Sequence, residues 1–90
     1  MLSQDAAIIE TTLRSVLTDA LGIAPARVAT FVETTPLFGA LPELDSMAVA
    51  GLLTEIEDRL GIVIEDDEVD GEMMETFGSL LHFVRNKALP

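Results

Sequence analysis

The sequence predicts a small all-α domain, and three observations lead to that prediction. Apolar residues make up 49% of the 90-residue chain, and most of them are aliphatic, because the chain has four Phe and no Trp or Tyr. Three segments carry their apolar residues at helical spacing. The one run that resembles a strand, residues 62–64, has no partner strand elsewhere in the sequence, so we interpret it as a buried connector.

The first predicted helix covers residues 3–21. Its apolar side chains recur every three or four positions and therefore form one face. That face consists of Ile9, Leu13, Val16, Leu17 and Ala20. Gly22 follows the last turn, and glycine is the residue that most readily ends a helix in the left-handed conformation.

Residues 22–45 form a long connection rather than a helix. Pro25, Pro36 and Pro42 interrupt the stretch, and proline breaks a helix interior. We expect at most a short helical turn, at residues 25–28. The connection also holds six apolar residues, which favours an ordered loop packed on the core over a disordered linker. They are Val28, Phe31, Leu37, Phe38, Leu41 and Leu44.

Two further helices complete the main architecture. The second covers residues 46–60, with Asp45 at its N-cap and Gly61 at its C-terminal end. Its apolar stripe consists of Val49, Leu52, Leu53, Ile56 and Leu60. The last helix covers residues 76–89 and is capped by Thr76. Its inward face consists of Phe77, Leu80, Leu81 and Val84.

The charge of the chain restricts its partners. Sixteen acidic and five basic residues give a net charge of −11. Nucleic acids and anionic membranes carry the same sign, so binding to either is disfavoured, whereas proteins with basic patches are favoured. The chain has no cysteine, no basic leader and no apolar run of membrane-spanning length. We therefore expect a monomeric cytoplasmic protein with a single domain, residues 1–90.

Two residues that favour helix starts stand side by side before the second helix. Either Asp45 or Ser46 can cap that helix, and only one cap is needed. If Asp45 is the cap, the Ser46 hydroxyl is free at the positive end of the helix dipole. The backbone N–H groups at that end favour an attached phosphate. Ser46 is therefore a good site for a phosphodiester.

The run Leu44-Asp45-Ser46-Met47, which opens an amphipathic helix after a long loop containing proline, resembles the signature of the acyl carrier protein family. The resemblance covers most of the chain, including Pro36-Leu37-Phe38 in the loop and the acidic stretch after Ile64. It implies a small four-helix bundle of the acyl-carrier type. This bundle would have three main helices and one short helix, with a long ordered loop between helices one and two.

The same resemblance implies a function. A phosphopantetheinyl transferase would use coenzyme A and magnesium to attach 4'-phosphopantetheine to Ser46, beside the cap Asp45. The thiol of that arm would carry acyl groups as thioesters, and the carrier itself would catalyse nothing. Its other partners would be acyl ligase, ketosynthase or acyltransferase enzymes with basic docking patches.

Residues that contact such partners are predicted on the second helix. They are Met47, Val49, Ala50, Glu55, Glu57 and Asp58. Carriers of fatty acid synthesis often have acids two and five residues after the serine, where this chain has Ala48 and Gly51. The departure favours a dedicated carrier in a specialised pathway, such as polyketide, modified-lipid or polysaccharide-associated biosynthesis, over a housekeeping role in fatty acid biosynthesis.

Two other function classes fit parts of the sequence. Residues 66–71 resemble the front of an EF-hand calcium loop, but its twelfth position, which requires a bidentate acid, is Phe77. A solvated acidic connector, with a short helix between residues 65 and 75, explains the same run. The second class is an acidic interaction module without a prosthetic group, which would make the placement of Asp45 and Ser46 a coincidence.

The remaining candidates for chemistry are few. The single histidine, His82, lies in the last helix and is predicted at the surface, and no catalytic set can be assembled around it. No metal site is predicted. Met73 and Met74 are interpreted as adaptable core residues, which would also suit the lining of a cavity for an acyl chain.

Overall fold

The computed structural model describes the backbone of residues 2–89 and the side chains of residues 5–89. Three long helices, one short α-helix and one 3₁₀ turn form the framework of the described chain. They are α1 (Leu2–Leu21), α2 (Pro25–Val28), α3 (Ser46–Leu60), the 3₁₀ turn (Asp66–Glu68) and α4 (Phe77–Ala88). The all-α prediction is confirmed. Residues 1 and 90 of the predicted domain lie outside the described residues, and no helix from 2 to 89 has the length and apolarity of a membrane span.

The helix ends lie where their local signals predict them. Asp45 caps α3 by accepting an N–H bond from the third residue of that helix at 2.8 Å. Thr76 caps α4 in the same way at 3.0 Å, and the Ser79 hydroxyl accepts the Thr76 N–H in return. Gly22 and Gly61 follow α1 and α3 with φ angles of 73° and 65°, a region that glycine adopts without steric cost.

Helix α1 lies at the centre of the bundle and packs against α2, α3 and α4. Its inward side chains Ile9, Leu13, Val16 and Leu17 are buried, as predicted. Ala20 is exposed, so its placement on the buried face was wrong. The residue lies in the last turn of α1, beyond the buried side chains. The predicted inward face of α4, from Phe77 to Val84, is buried throughout.

The long connection between α1 and α3 is pinned to the start of α4. The N–H groups of Leu37 and Phe38 donate to the carbonyls of Glu75 and Met74 at 2.8 and 3.0 Å, and Phe77 N–H donates to the Thr35 carbonyl at 2.8 Å. An isolated antiparallel bridge joins Pro36 to Thr76 in the middle of this pairing. The loop therefore follows a fixed path across the bundle.

One apolar residue of the connection departs from the prediction. Five of the six are buried, whereas Phe38 is 43% exposed. Successive side chains of an extended segment point to opposite sides. Because Leu37 is fully buried beneath the loop, Phe38 has to point outward.

Gly78 marks the closest approach of the loop to α4. Its N–H donates to the Glu33 carbonyl at 2.9 Å. A Cβ atom at this position would lie 2.7 Å from the same carbonyl oxygen, closer than such atoms approach in proteins. The pairing of the loop with α4 therefore requires glycine at this position. Gly51 on α3, by contrast, has no atom within 4 Å of the corresponding Cβ position.

We expect the two glycines to respond in opposite directions to alanine. Gly78→Ala should reduce the free energy of unfolding by about 1–3 kcal/mol, because the backbone of the loop has to move. Gly51→Ala should raise it by up to about 1 kcal/mol through helix propensity. Urea unfolding of both variants and the wild type measures the difference. Equal effects of the two substitutions would contradict the tight approach at Gly78.

Candidate functional site

Ser46 is the first residue of α3, and its side chain is exposed. Asp45 fills the capping position, so the Ser46 hydroxyl is not needed to cap the helix. Among the described residues, no group forms a hydrogen bond with Ser46 Oγ or with the N–H groups of Ser46 and Met47. The result is a free nucleophilic oxygen beside two free N–H donors at the positive end of a 15-residue helix.

The segment before Ser46 is held in place by buried apolar side chains and by an ion pair. Leu41 and Leu44 are buried in the core. Glu43 forms an ion pair with Arg27 of α2. The hydrogen bond from Arg27 lowers the pKa of the Glu43 carboxyl below its usual value. Ser46 is thus presented on a fixed backbone.

Two pockets adjoin Ser46. The first, which we call the loop pocket, has a volume of about 390 Å³ and lies between residues 38–44 and the start of α3. The second, the α3 groove, has a volume of about 440 Å³ and extends along α3 from Ser46 to Glu57. Ile64, Asp66 and Val69 form the opposite wall of that groove.

A third pocket connects these surroundings. It has a volume of about 250 Å³, and we call it the apolar pocket because its walls are mainly Phe38, Val49, Val69 and Met74. Phe38 also lines the loop pocket, and Val49 and Val69 also line the α3 groove. The apolar pocket can therefore be reached from Ser46 through the loop pocket and through the α3 groove.

The two methionines have different places in this arrangement. Both are buried, as expected for core residues. Met74 also forms part of the wall of the apolar pocket, whereas Met73 does not. Met74 is therefore both a core residue and part of a cavity wall, which are the two roles that the sequence allows.

The predicted partner-binding residues lie on different sides of α3. Met47 is 88% exposed, and Ala50 and Asp58 are exposed as well. Val49 is half-buried in the wall of the two pockets. The six residues therefore do not form one continuous face.

The other two of the six, both acids, are already engaged within the domain. Glu55 forms an ion pair with Arg59 at 2.8 Å. Glu57 accepts the Ile64 N–H at 2.7 Å and is half-buried. Both carboxylates are thus less available to a partner than that of Asp58.

The acidic run resembling a calcium loop is arranged differently from such a loop. The 3₁₀ turn begins at Asp66, and Glu68 binds Lys87 of α4 at 2.8 and 3.0 Å. Asp70 accepts the Met73 N–H at 2.8 Å. Phe77, at the twelfth position, is buried in the core. Within the described part of the chain, no group of three or more acids, His or Cys is arranged to hold a metal ion.

A larger pocket, of about 470 Å³, lies away from Ser46 between residues 33–34 and α4. His82 borders it and is exposed, with its Nε2 atom 3.1 Å from the side-chain nitrogen of Asn86. Arg85 also borders it but is directed toward Glu10 and the Ala6 carbonyl. No nucleophile paired with a base lies among its lining residues, so the pocket does not resemble an active site.

Comparison with known proteins agrees with this geometry. Residues 11–84 match the family model described as "Phosphopantetheine attachment site". The solution NMR structure of a holo acyl carrier protein from Nitrosomonas europaea is similar, with 37% sequence identity and a TM-score of 0.77. The match covers 87% of this chain and 92% of that one. The comparison with curated protein sequences gives no significant match.

The chain therefore belongs to the family of phosphopantetheine-binding carrier proteins. It is an acyl carrier protein in fold and in general function, and the resemblance seen in the sequence is confirmed. Members of this family are non-catalytic carriers, and their covalent prosthetic group is 4'-phosphopantetheine.

The start of α3 fits this prosthetic group. An exposed hydroxyl is available for a phosphodiester bond, and the free N–H groups of Ser46 and Met47 match the anionic oxygens that such a bond brings. The adjoining pockets contain both polar and apolar surface. The site thus matches a group with a charged end and an extended arm.

Sequence reasoning did not find two features of this site. Phe38 was assigned to the core, although it lies between the loop pocket and the apolar pocket. Val69 lies in the acidic run and has no role in the sequence-based prediction, yet it forms a wall shared by two pockets. Both assignments depend on contacts between distant segments, so no local pattern signals them.

Substitutions can distinguish the role of Asp45 as the helix cap from that of Ser46 as a free hydroxyl. Asp45→Ala should lower the free energy of unfolding by about 1 kcal/mol, because α3 loses its cap. Ser46→Ala should change it by less than about 0.5 kcal/mol, because no described residue bonds to Ser46 Oγ. Chemical denaturation of the unmodified proteins tests both values. If Ser46→Ala proves the more destabilising of the two, the division of roles is wrong.

Proposed function

We propose that Ser46 is the attachment site of the prosthetic group and that this carrier holds acyl intermediates as thioesters for a dedicated biosynthetic pathway. It would act as a monomer in the cytoplasm. The observation that carries the assignment is the pairing of Asp45 and Ser46. One side chain caps the helix, and the other is left exposed and unbonded beside free N–H groups.

The chemistry of attachment requires little of this chain. Ser46 Oγ would form the new bond to phosphorus at the pyrophosphate of coenzyme A and lose its proton to the transferase. The nucleotide half of coenzyme A would be the leaving group. Once attached, the group supplies the thiol that this cysteine-free chain lacks. The Ser46 and Met47 N–H groups would then favour the phosphodiester charge.

Attachment at Ser46 is directly measurable by intact mass. Incubation of the unmodified protein with coenzyme A, magnesium and a broad-specificity phosphopantetheinyl transferase should add one phosphopantetheine group. Ser46→Ala should abolish the addition. Thr54→Ala is the matched control, because Thr54 carries another exposed hydroxyl along the same groove, and this variant should be modified like the wild type. Modification of Ser46→Ala would refute the assignment.

The apolar pocket supports a further part of the proposal, which concerns the cargo. Its aliphatic and aromatic walls can shelter an acyl chain from water, and each buried methylene is worth about 0.8 kcal/mol. A medium-length acyl group on the arm should therefore raise the Tm above that of the unacylated holo form. A series of chain lengths followed by thermal unfolding measures the increment.

Two substitutions test whether the acyl chain lies in the apolar pocket: one fills the pocket, and the other is the control. Val49→Phe places a larger side chain in the wall of the apolar pocket and should reduce the increment. Val63→Phe adds the same volume at a residue that is 65% exposed and should leave it unchanged. The cargo would be assigned to solvent if acylation failed to raise the Tm at any chain length.

The exposed part of α3 supports the proposed docking surface. Met47, Ala50 and Asp58 are accessible, whereas the nearby positions Ala48 and Gly51 carry no charge. We propose that the partners include the transferase and an acyl ligase, ketosynthase or acyltransferase of a specialised pathway. Such enzymes would recognise this apolar surface together with the acidic surroundings.

Fatty acid synthesis enzymes that dock through a basic patch should therefore use this carrier poorly. Gly51→Glu has open space around it, and combined with Ala48→Asp it should increase kcat/KM for those enzymes. Because Ala48 is half-buried, the single variant Gly51→Glu guards against a folding defect of the double variant. Efficient turnover of the wild-type carrier by such enzymes would contradict this proposal.

A further inference from the structure

The segment between α3 and α4 forms one wall of the α3 groove. We call residues 62–70 the strap. Ile64, Asp66 and Val69 of the strap face α3 across the groove that begins at Ser46. Each of the nine strap side chains, all within the described residues, is half-buried or exposed, so the interpretation of residues 62–64 as a buried connector was wrong.

The strap also carries a strong uncompensated charge. Five of its nine residues are acidic, and none is basic: Glu65, Asp66, Asp67, Glu68 and Asp70. Their mutual repulsion works against a compact arrangement. Ile62, Ile64 and Val69 pack against the core, and bonds to the neighbouring helices add to this packing.

Two side chains and one backbone carbonyl provide those bonds, and the carbonyl, that of Glu57 on α3, accepts the Ile62 N–H at 3.2 Å. On the α3 side, the Glu57 carboxylate accepts the Ile64 N–H at 2.7 Å. On the α4 side, Lys87 Nζ donates to both carboxylate oxygens of Glu68, at 2.8 and 3.0 Å. Among the described residues, Lys87 is the one cation that forms an ion pair with the strap.

Glu68 transmits this contact to the backbone of the strap. The same Oε1 atom that binds Lys87 also accepts the Glu65 N–H at 2.9 Å, which closes the capping box of the 3₁₀ turn. The hydrogen bond from Lys87 lowers the pKa of the Glu68 carboxyl below its usual value. Lys87 is thus connected to the turn between Asp66 and Val69 that lines the groove.

We infer that Lys87 is a positioning residue that holds the strap against α4 and thereby sets the width of the α3 groove beside Ser46. The inference rests on the proposed function for its consequence, which is the shelter that the groove and the apolar pocket give to the arm and its cargo. The holding of the strap itself does not depend on modification of Ser46.

Hydrogen exchange of the unmodified full-length chain tests the first part. Lys87→Met keeps the aliphatic stem and removes the charge. It should speed exchange of the strap amides of Ile64, Glu68 and Val69 by about three- to fivefold, the effect of a partly exposed ion pair. The amides in the middle of α4 should exchange at the wild-type rate. Lys87→Arg should restore slow exchange in the strap.

The control is a second cation of similar exposure. Arg59 forms ion pairs with Asp19 and Glu55 at the C-terminal end of α3, none of them with the strap, and its side chain is 32% exposed against 27% for Lys87. Arg59→Met removes the same charge and should leave strap exchange unchanged. Faster exchange in the strap of Arg59→Met, or none in that of Lys87→Met, would overturn the inference.

A double variant isolates the pair. Glu68→Gln keeps an acceptor for the Glu65 N–H but removes the charge that Lys87 binds. If the two residues act through each other, Lys87→Met combined with Glu68→Gln should exchange no faster in the strap than Lys87→Met alone. Additive effects of the two substitutions would show that they act separately and would overturn the inference.

The consequence for the cargo is measured on acylated protein. In Lys87→Met, the difference in Tm between the acylated and the unacylated holo forms should be smaller than in the wild type, and Lys87→Arg should recover it. An unchanged difference despite a loosened strap would overturn the link to the groove. Failure of Ser46 to accept the arm would instead refute the proposed function and leave the exchange result standing.

Discussion

The guanidinium group of Arg14 joins three elements of the fold at one point. It donates to the Val28 carbonyl at 2.7 Å and to the Phe31 carbonyl at 3.0 Å, where α2 ends and the loop begins. It also lies 4.6 Å from the centre of the Phe77 ring at the start of α4. One planar cation with several donors can satisfy these partners together, which a lysine could not do. Helix α1 is thereby joined to the loop and to α4 at a single point.

Glu10 extends this junction. Its carboxylate binds Arg14 one turn away on α1 and Arg85 on α4, at 2.8 and 3.1 Å. Phe31 packs edge-on against Phe77 below it, with ring centres 6.1 Å apart. The path of the loop is fixed here and again at the Pro36–Thr76 bridge. As a result, a connection of more than twenty residues delivers Asp45 to the start of α3 in one position.

The parts of this arrangement that the sequence predicts are those with local causes. Helical spacing and glycine placement give the three long helices, and two adjacent cap residues identify Ser46 as free. The parts that it does not predict depend on segments far apart in the chain. Phe38 points outward because its backbone pairs with Met74. Glu57 binds a strap amide, and Lys87 reaches back nineteen residues to Glu68. Residues such as these look like ordinary core or solvated side chains until the fold brings their partners together.

The distribution of charge connects stability with recognition. All five basic residues form ion pairs within the domain: Arg14, Arg27, Arg59, Arg85 and Lys87. The ion pairs that link different elements join α1 to α3 and to α4, α2 to the loop, and the strap to α4. Eleven of the sixteen acids have no ion-pair partner among the described residues, so the unpaired charges of the domain are negative. Because its own cations are occupied, the domain has none to offer for a cargo anion or a partner's acids, and complementary positive charge has to come from the enzymes that bind it. The basic side chains that link the elements of the fold are therefore also the reason why the carrier suits partners with positively charged surfaces.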